Sequence, residues 1–103
     1  MMPASKLGEG RQVVTTAGTR EPLTNDAAYS VPTGPIRTLV ITALSGNTDK
    51  VVVGGAGVIA ALATRRGTPL AASETLVLEC DDISDVYLDS VVSGEGVSFT
   101  WIA

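Results

Sequence analysis

Strict alternation of apolar and polar residues near the C-terminal end is the feature that most constrains this chain. Between Glu74 and Ile102, three short segments carry larger apolar side chains at every second position, and turns rich in Asp, Ser and Gly separate them. Period two puts alternate side chains on opposite faces of an extended strand. Short strands at this spacing predict an all-β protein, either a small antiparallel β-sandwich or a jelly-roll-like barrel.

The same alternation predicts the core. If each late strand buries the face with the larger apolar side chains, one core contains Leu76, Leu78, Val86, Leu88, Val97, Phe99 and Trp101. Tyr87 falls on the opposite face of its strand and is therefore a candidate for an interface. Cys80 shares the face of Leu76 and Leu78, so we expect a small core residue; a single cysteine cannot form an internal disulfide.

The earlier part of the chain shows a weaker strand pattern. Residues 11–16, 36–44 and 50–53 are rich in Val, Ile and Thr, so each is expected to form a strand. A turn of Ser, Gly, Asn, Thr and Asp separates the second of these segments from the third. Residues 36–53 therefore predict a β-hairpin.

The connections carry the residues that interrupt regular structure. Residues 17–34 contain Gly and Pro and predict a long connection, with a short strand near Tyr29 and Val31. Residues 58–63 are few and bounded by glycine, so we favour a strand or an irregular segment over a helix. Residues 67–69 are expected to form a loop.

The first ten residues lack any apolar periodicity and include Pro and two Gly. We therefore expect a flexible N-terminal arm over 1–10 and a single β-domain over 11–103. In this arm Leu7 is the apolar side chain that we expect to contact a neighbouring subunit.

Composition argues against several classes of function. The chain has no histidine, which removes the commonest general base, the Ser-His pair and most zinc sites. Its net charge is −4 and its basic residues are scattered, so nucleic acid is not an expected partner. The longest uncharged stretch, Val51 to Thr64, is shorter than the roughly 20 residues of a membrane-spanning helix. We expect no enzyme activity, no catalytic residue, no cofactor, no metal and no membrane segment.

Two motifs offer weak signals of a ligand site. The glycines at Gly54–Gly57 lack the Lys-Ser/Thr of a phosphate loop, so a tight strand exit is favoured. Asp81, Asp82 and Asp85 match no defined calcium loop, and a solvated turn capped by Asp is the favoured interpretation.

The balance of apolar and charged residues predicts self-association. Apolar residues make up 45% of the chain and charged residues 17%, and a domain of this size buries only part of that surface by itself. We expect a homo-oligomer, most simply a trimer. The candidate interface comprises Leu7, Arg65, Arg66 and Tyr87. By default the adjacent Arg65 and Arg66 belong to a solvated loop; the alternative is that they bind an acidic surface of a partner.

Five strand-and-turn motifs together resemble those of small virion proteins of tailed bacteriophages. They are Ile41–Thr48 (ITALSGNT), Val51–Gly55 (VVVGG), Gly67–Leu76 (GTPLAASETL), Asp82–Tyr87 (DISDVY) and Gly94–Val97 (GEGV). The resemblance implies a virion structural protein assembled in the host cytoplasm, foremost a capsid decoration or cement protein bound to the major capsid protein or another virion protein. It also implies Gly at position 73, where this chain has Ser. It carries over no catalytic or ligand-binding residue.

Two alternatives stay open. One is a tail or head-fibre component, which is also structural. The other is a carbohydrate- or receptor-binding β-module, because β-sandwiches host lectin sites and Trp101 with Tyr87 would supply a stacking platform. The small number of aromatic residues favours Trp101 and Phe99 as core anchors instead.

Overall fold

Eight antiparallel strands form two four-stranded sheets in the computed structural model, which describes residues 6–24 and 30–103. In chain order the strands are β1 (Leu7–Val13), β2 (Glu21–Pro22), β3 (Thr38–Ala43), β4 (Val51–Gly54), β5 (Thr68–Leu70), β6 (Thr75–Glu79), β7 (Tyr87–Ser90) and β8 (Gly96–Ile102). The first sheet has the order β1-β8-β3-β6 and the second β2-β7-β4-β5. Short 3-10 turns cover Leu62–Thr64 and Ile83–Asp85. The predicted all-β sandwich is confirmed.

The core lies between the two sheets and follows the predicted alternation. The first sheet contributes the inner faces of β3 and β8, and the second those of β4 and β7, to one buried cluster. Leu76 and Leu78 pack against its edge and are only half-buried, because β6 is the outermost strand of its sheet. All seven residues predicted to share a core therefore do so.

The N-terminal boundary predicted from the sequence is wrong. Residues 7–10 belong to β1, which pairs with β8 from Leu7 opposite Ile102 to Val13 opposite Gly96. The alternation is hidden because glycine occupies two inward positions of β1. At Gly8, an added Cβ would lie 2.3 Å from Trp101 Cε2, so the indole occupies the place of a side chain. Residues 1–5 of the predicted arm lie outside the described residues.

The predicted hairpin over 36–53 is also wrong, because β3 and β4 lie in different sheets. The connection between them crosses the end of the sandwich and is tied to the start of β8. Asn47 Nδ2 donates to Gly96 O at 2.9 Å, and Gly96 N donates to Asn47 Oδ1 at 3.3 Å. A turn that is stabilised by distant residues has the same amino-acid composition as a hairpin turn. The sequence therefore did not distinguish the two.

Three smaller expectations have mixed outcomes. Residues 67–69 are not a loop, since Thr68–Leu70 pairs with β4 as an edge strand, where proline is tolerated. In the long connection, Tyr29 lies outside the described residues, Val31 is not in a strand, and the short strand is Glu21–Pro22. The irregular character expected of 58–63 is confirmed.

The contact between Gly8 and Trp101 gives a direct test of the new boundary. Gly8→Ala should reduce the free energy of unfolding by about 1–3 kcal/mol, because the added methyl group displaces the buried indole. Gly46→Ala is the matched control, since a Cβ there meets no atom within 4 Å and should change stability by less than about 0.5 kcal/mol. Urea unfolding of both variants measures the difference, and equal midpoints would contradict the pairing of β1 with β8.

Candidate functional site

Residues 55–66, here called the flap, fold back over the outer face of the second sheet. Val58 and Ala60 are buried and form a second apolar cluster with Val52 of β4. Tyr87 packs against this cluster and is half-buried. Tyr87 therefore lies on the outer face, as its strand position predicts, but the flap shields part of its ring.

A buried carboxylate holds the flap to the sheet. Asp89, on the outer face of β7, is 2% exposed, and its Oδ2 accepts a hydrogen bond from Ala60 N at 2.9 Å. Its Oδ1 accepts from Gly18 N at 3.0 Å and from Ser90 N at 2.9 Å. A buried charge is tolerated when hydrogen bonds replace its hydration. Asp89 thus joins β7, the flap and the turn before β2 at one point, and its role was missed because its position in the sequence resembles any solvent-facing acid.

Two arginines reinforce the flap. Arg65 Nε and Nη2 donate to the carbonyl oxygen of Ala60 at 3.1 and 2.9 Å. Arg20 Nη1 donates to Val58 O at 3.3 Å. Arg66 pairs with Ile59 through backbone hydrogen bonds in both directions, and its residue is exposed. Of the two adjacent arginines, Arg65 closes the flap and Arg66 is available at the surface.

The tip of the flap is the most exposed apolar point in the described part of the chain. Leu62 is 80% exposed and lies in the 3-10 turn Leu62–Thr64, which ends shortly before Arg66 in the sequence. An apolar side chain held out by a tied loop is suited to contact a partner protein.

The outer face of the first sheet is broad and nearly free of charge. Its two central strands present only uncharged side chains there: Thr38, Val40 and Thr42 from β3, and Ser98, Thr100 and Ile102 from β8. The charged residues of this face, Glu9, Arg11 and Glu79, lie on the flanking strands β1 and β6. Charged residues are depleted at the centre of protein–protein interfaces, so this uncharged centre is suited to contact another protein.

The four predicted interface residues do not form one surface. Leu7 is 67% exposed at the end of β1, beside Ile102 on the face of the first sheet. Arg65, Arg66 and Tyr87 lie with the flap on the second sheet. The structure thus separates the prediction into two candidate surfaces on opposite sides of the sandwich.

A second carboxylate fastens the crossing between the sheets. Glu95 is largely buried; its Oε2 accepts from Thr48 N at 2.6 Å and from Thr48 Oγ1 at 2.8 Å, and its Oε1 accepts from Asp49 N at 3.2 Å. Burial disfavours the charged form and raises the pKa of Glu95, but the hydrogen bonds from Thr48 and Asp49 outweigh it. The net effect is a pKa below the ordinary value of 4.5.

The acidic turn after β6 forms the capped structure that the sequence favours. Asp82 Oδ1 accepts from Ser84 Oγ at 2.7 Å and from Ser84 N at 2.9 Å, and these bonds lower the pKa of Asp82. Cys80 is half-buried at the edge of the core; burial raises the pKa of its thiol, and nearby Asp85 and Asp81 add to the effect. Within residues 6–24 and 30–103, no group of three or more Cys, Asp and Glu is placed to hold a metal ion.

The aromatic residues of the described segments do not form an exposed platform. Phe99 and Trp101 are buried, and Trp101 Nε1 donates to Ser30 O at 2.7 Å. They are core anchors, as expected, and the half-buried Tyr87 is on the other sheet.

Comparisons with known proteins give no relative from which to assign a function. No protein-family model, no curated protein sequence and no solved structure matches the chain. Among the described residues, no helix has both the length and the apolar character needed to cross a membrane.

Loss of the Asp89 carboxylate should release the flap. Asp89→Asn turns an amide nitrogen donor toward a backbone N–H, so we expect a loss of roughly 1–3 kcal/mol in stability and faster trypsin cleavage after Arg65 or Arg66. Asp49→Asn is the control, since Asp49 is exposed and its Oδ1 accepts from the adjacent Lys50 N. A digestion time course followed by mass spectrometry measures both; equal cleavage of the two variants would show that Asp89 does not hold the flap.

The lowered pKa of Glu95 predicts a pH-dependent contribution to stability. Because the folded pKa is below the ordinary value of 4.5, ionised Glu95 stabilises the fold above that pH, and this stabilisation disappears as pH falls through the folded pKa. Glu95→Gln should therefore be less stable than the wild type near neutral pH, and the difference should shrink under acid conditions. Denaturant unfolding across pH tests this, with exposed Glu79→Gln as control. A difference that does not change with pH would refute it.

Proposed function

We propose that this protein is a non-enzymatic structural protein of a tailed-phage virion, a capsid decoration or cement protein that binds and stabilises the head shell. Its partner is the major capsid protein or another virion protein, it acts on the virion after assembly in the host cytoplasm, and it binds neither nucleic acid nor membrane. The observation that carries the proposal is the outer face of the first sheet, whose two central strands, β3 and β8, present only uncharged side chains. Charged residues are depleted at the centre of protein–protein interfaces, so a face with an uncharged centre is suited to bind a protein shell.

The use of polar groups in the fold supports a binding role over a catalytic one. In the described residues, every buried side-chain nitrogen and oxygen has a hydrogen-bond partner. Both buried carboxylates, Asp89 and Glu95, accept hydrogen bonds from backbone N–H groups, and Glu95 also accepts one from a hydroxyl group of the fold. General acid-base chemistry instead uses a titratable group within reach of a substrate.

The placement of the virion-like motifs supports the same class. Ile41–Thr48 covers the end of β3 and the crossing turn, and Gly94–Val97 contains the glutamate and the glycine that fasten this turn. Val51–Gly55 covers β4 and the start of the flap, and Asp82–Tyr87 leads through the capped turn into β7. The motifs therefore coincide with the contacts that hold the sandwich together, as expected of a shared scaffold.

The alternatives differ in what supports them. A tail or head-fibre protein would use the same faces, so only its position on the particle separates it from a decoration protein. A glycan-binding module has no support among the described residues, since their aromatic side chains are buried or half-covered. Oligomerisation into a trimer belongs to the proposal as well.

The proposal predicts binding to empty heads through the face of the first sheet. Val40 lies at the middle of that face, between Thr100 and Val77, and Val40→Lys should reduce binding in a cosedimentation assay at least about tenfold, because a charge would be desolvated there. Thr19→Lys, at an exposed turn away from the face, should bind like the wild type. Electron cryomicroscopy of the particles should show the protein at regular positions over the shell. Absence from the head, or presence on the tail alone, would contradict the proposal.

A further inference from the structure

The open edges of the two sheets are not equivalent. The two sheets have four edge strands, β1 and β6 in the first and β2 and β5 in the second. An unprotected edge exposes unpaired N–H and C=O groups and is a template for another strand. Proteins protect such edges with short strands, proline, charges or a covering segment.

Three of these edges are protected. β2 is two residues long, and β5 carries Pro69, which has no N–H to offer. The edge of β1 carries the charged residues Glu9 and Arg11. In addition, Ser30 N donates to Glu9 O at 2.8 Å, so the segment that begins at Ser30 covers part of this edge.

The remaining edge, β6, carries one charged residue, Glu79, but it has five residues, no proline and no covering backbone among the described residues. β6 uses alternate residues to bond β3, as shown by Cys80 N donating to Arg37 O at 3.3 Å. The N–H and C=O groups of Thr75, Val77 and Glu79 therefore point away from the sheet. In the described part of the chain no other backbone pairs with them, and the Val77 side chain is 60% exposed.

The sequence of β6 is complementary to itself when two copies run antiparallel. With Val77 opposite Val77 of the second copy, each Thr75 lies opposite a Glu79, and each Leu76 opposite a Leu78. No like charges face each other, and threonine can donate to the opposing carboxylate. Leu76 and Leu78 are half-buried in one copy, so this pairing would complete the burial at the edge of the core.

We propose that β6 is a self-association edge, on which a second copy of this chain pairs antiparallel about a two-fold axis at Val77. The two first sheets then form one continuous eight-stranded sheet, with hydrogen bonds at Thr75, Val77 and Glu79. Such an isologous contact joins two copies, so it is separate from the three-fold contact of the proposed trimer. The pairing stands independently of the virion role, because it needs no other protein.

A short strand pair buries less surface than the roughly 1,200–2,000 Å² of a stable complex, so the dimer is weak in solution. We expect weak but measurable dimerisation, with a dissociation constant somewhat below about 1 mM. On an array of closely spaced copies, the same contact is favoured by high local concentration.

Charge substitutions at the two-fold axis test the pairing. In Val77→Lys or in Val77→Glu, two like charges would meet across the axis, so each variant alone should dimerise at least about tenfold more weakly than the wild type. An equimolar mixture of the two should recover dimer, because Lys then faces Glu. Leu62→Lys is the control, since Leu62 is also exposed but is on the flap. Sedimentation equilibrium measures the wild type, the two Val77 variants, their mixture and the control.

Cysteine variants in a Cys80→Ala background test the register. Opposed residues in a hydrogen-bonded antiparallel pair have Cα atoms about 5.5 Å apart, within reach of a disulfide. Under mild oxidation by oxidised glutathione, Val77→Cys should form a disulfide-linked dimer. Leu62→Cys should form one much more slowly, because its thiols would meet only by random collision. Wild-type protein that stays monomeric to about 1 mM, no recovery in the charge mixture, or equal cross-linking at positions 77 and 62 would each overturn the proposal.

Discussion

Everything else in this fold depends on the pairing of β8 with both β1 and β3. The last strand is an interior strand of its sheet, so it is bonded on both sides, and its inward side chains Val97, Phe99 and Trp101 fill the centre of the core. The two ends of the described chain therefore close the sandwich on each other. The indole of Trp101 lies against Gly8, where no side chain fits, and its N–H is bonded to the backbone at Ser30. A residue from each end and one from the long connection thus meet at a single contact.

Two buried carboxylates hold the connections in place, as β8 holds the strands of the first sheet together. Glu95, just before β8, accepts from the backbone of the crossing between β3 and β4, and Asp89, on β7, accepts from the flap and from the turn before β2. These hydrogen bonds hold the connections against the two sheets. The uncharged centre of the first sheet's outer face, the flap tip at Leu62 and the edge of β6 are the candidate surfaces for partners. The same interactions that stabilise the fold therefore define the surfaces that the proposed structural role requires.

Sequence reasoning recovered what depends on local pattern. The alternation in β6 and β8 sufficed to predict the strands, the buried faces and the core, because period two is a property of consecutive residues. It failed where a distant residue decides the outcome. Gly8 indicates an arm until Trp101 is placed over it, and the turn at Asn47 indicates a hairpin until Glu95 and Gly96 are found to bond it.

The candidate site residues also make contacts that the sequence pattern does not show. Arg65 is a surface arginine in the sequence, yet its guanidinium closes the flap on Ala60 O. Position 73 is an instructive intermediate case: the virion resemblance implies Gly there, and the structure gives Ser73 a φ of 67°, the left-handed region that Gly adopts most readily. A local backbone requirement is therefore detectable from a motif, whereas a partner for a side chain is not.

Residue-resolved hydrogen exchange measures the closure of the sandwich most directly. The amides of Gly8, Gly10 and Gln12 donate to β8 in the observed register, so they should exchange as slowly as those of Val97, Phe99 and Trp101, through unfolding of the whole domain. Fast exchange at Gly8 and Gly10 beside slow exchange in β8 would contradict the account, because the N-terminal segment would then be a separable arm and β8 an edge strand.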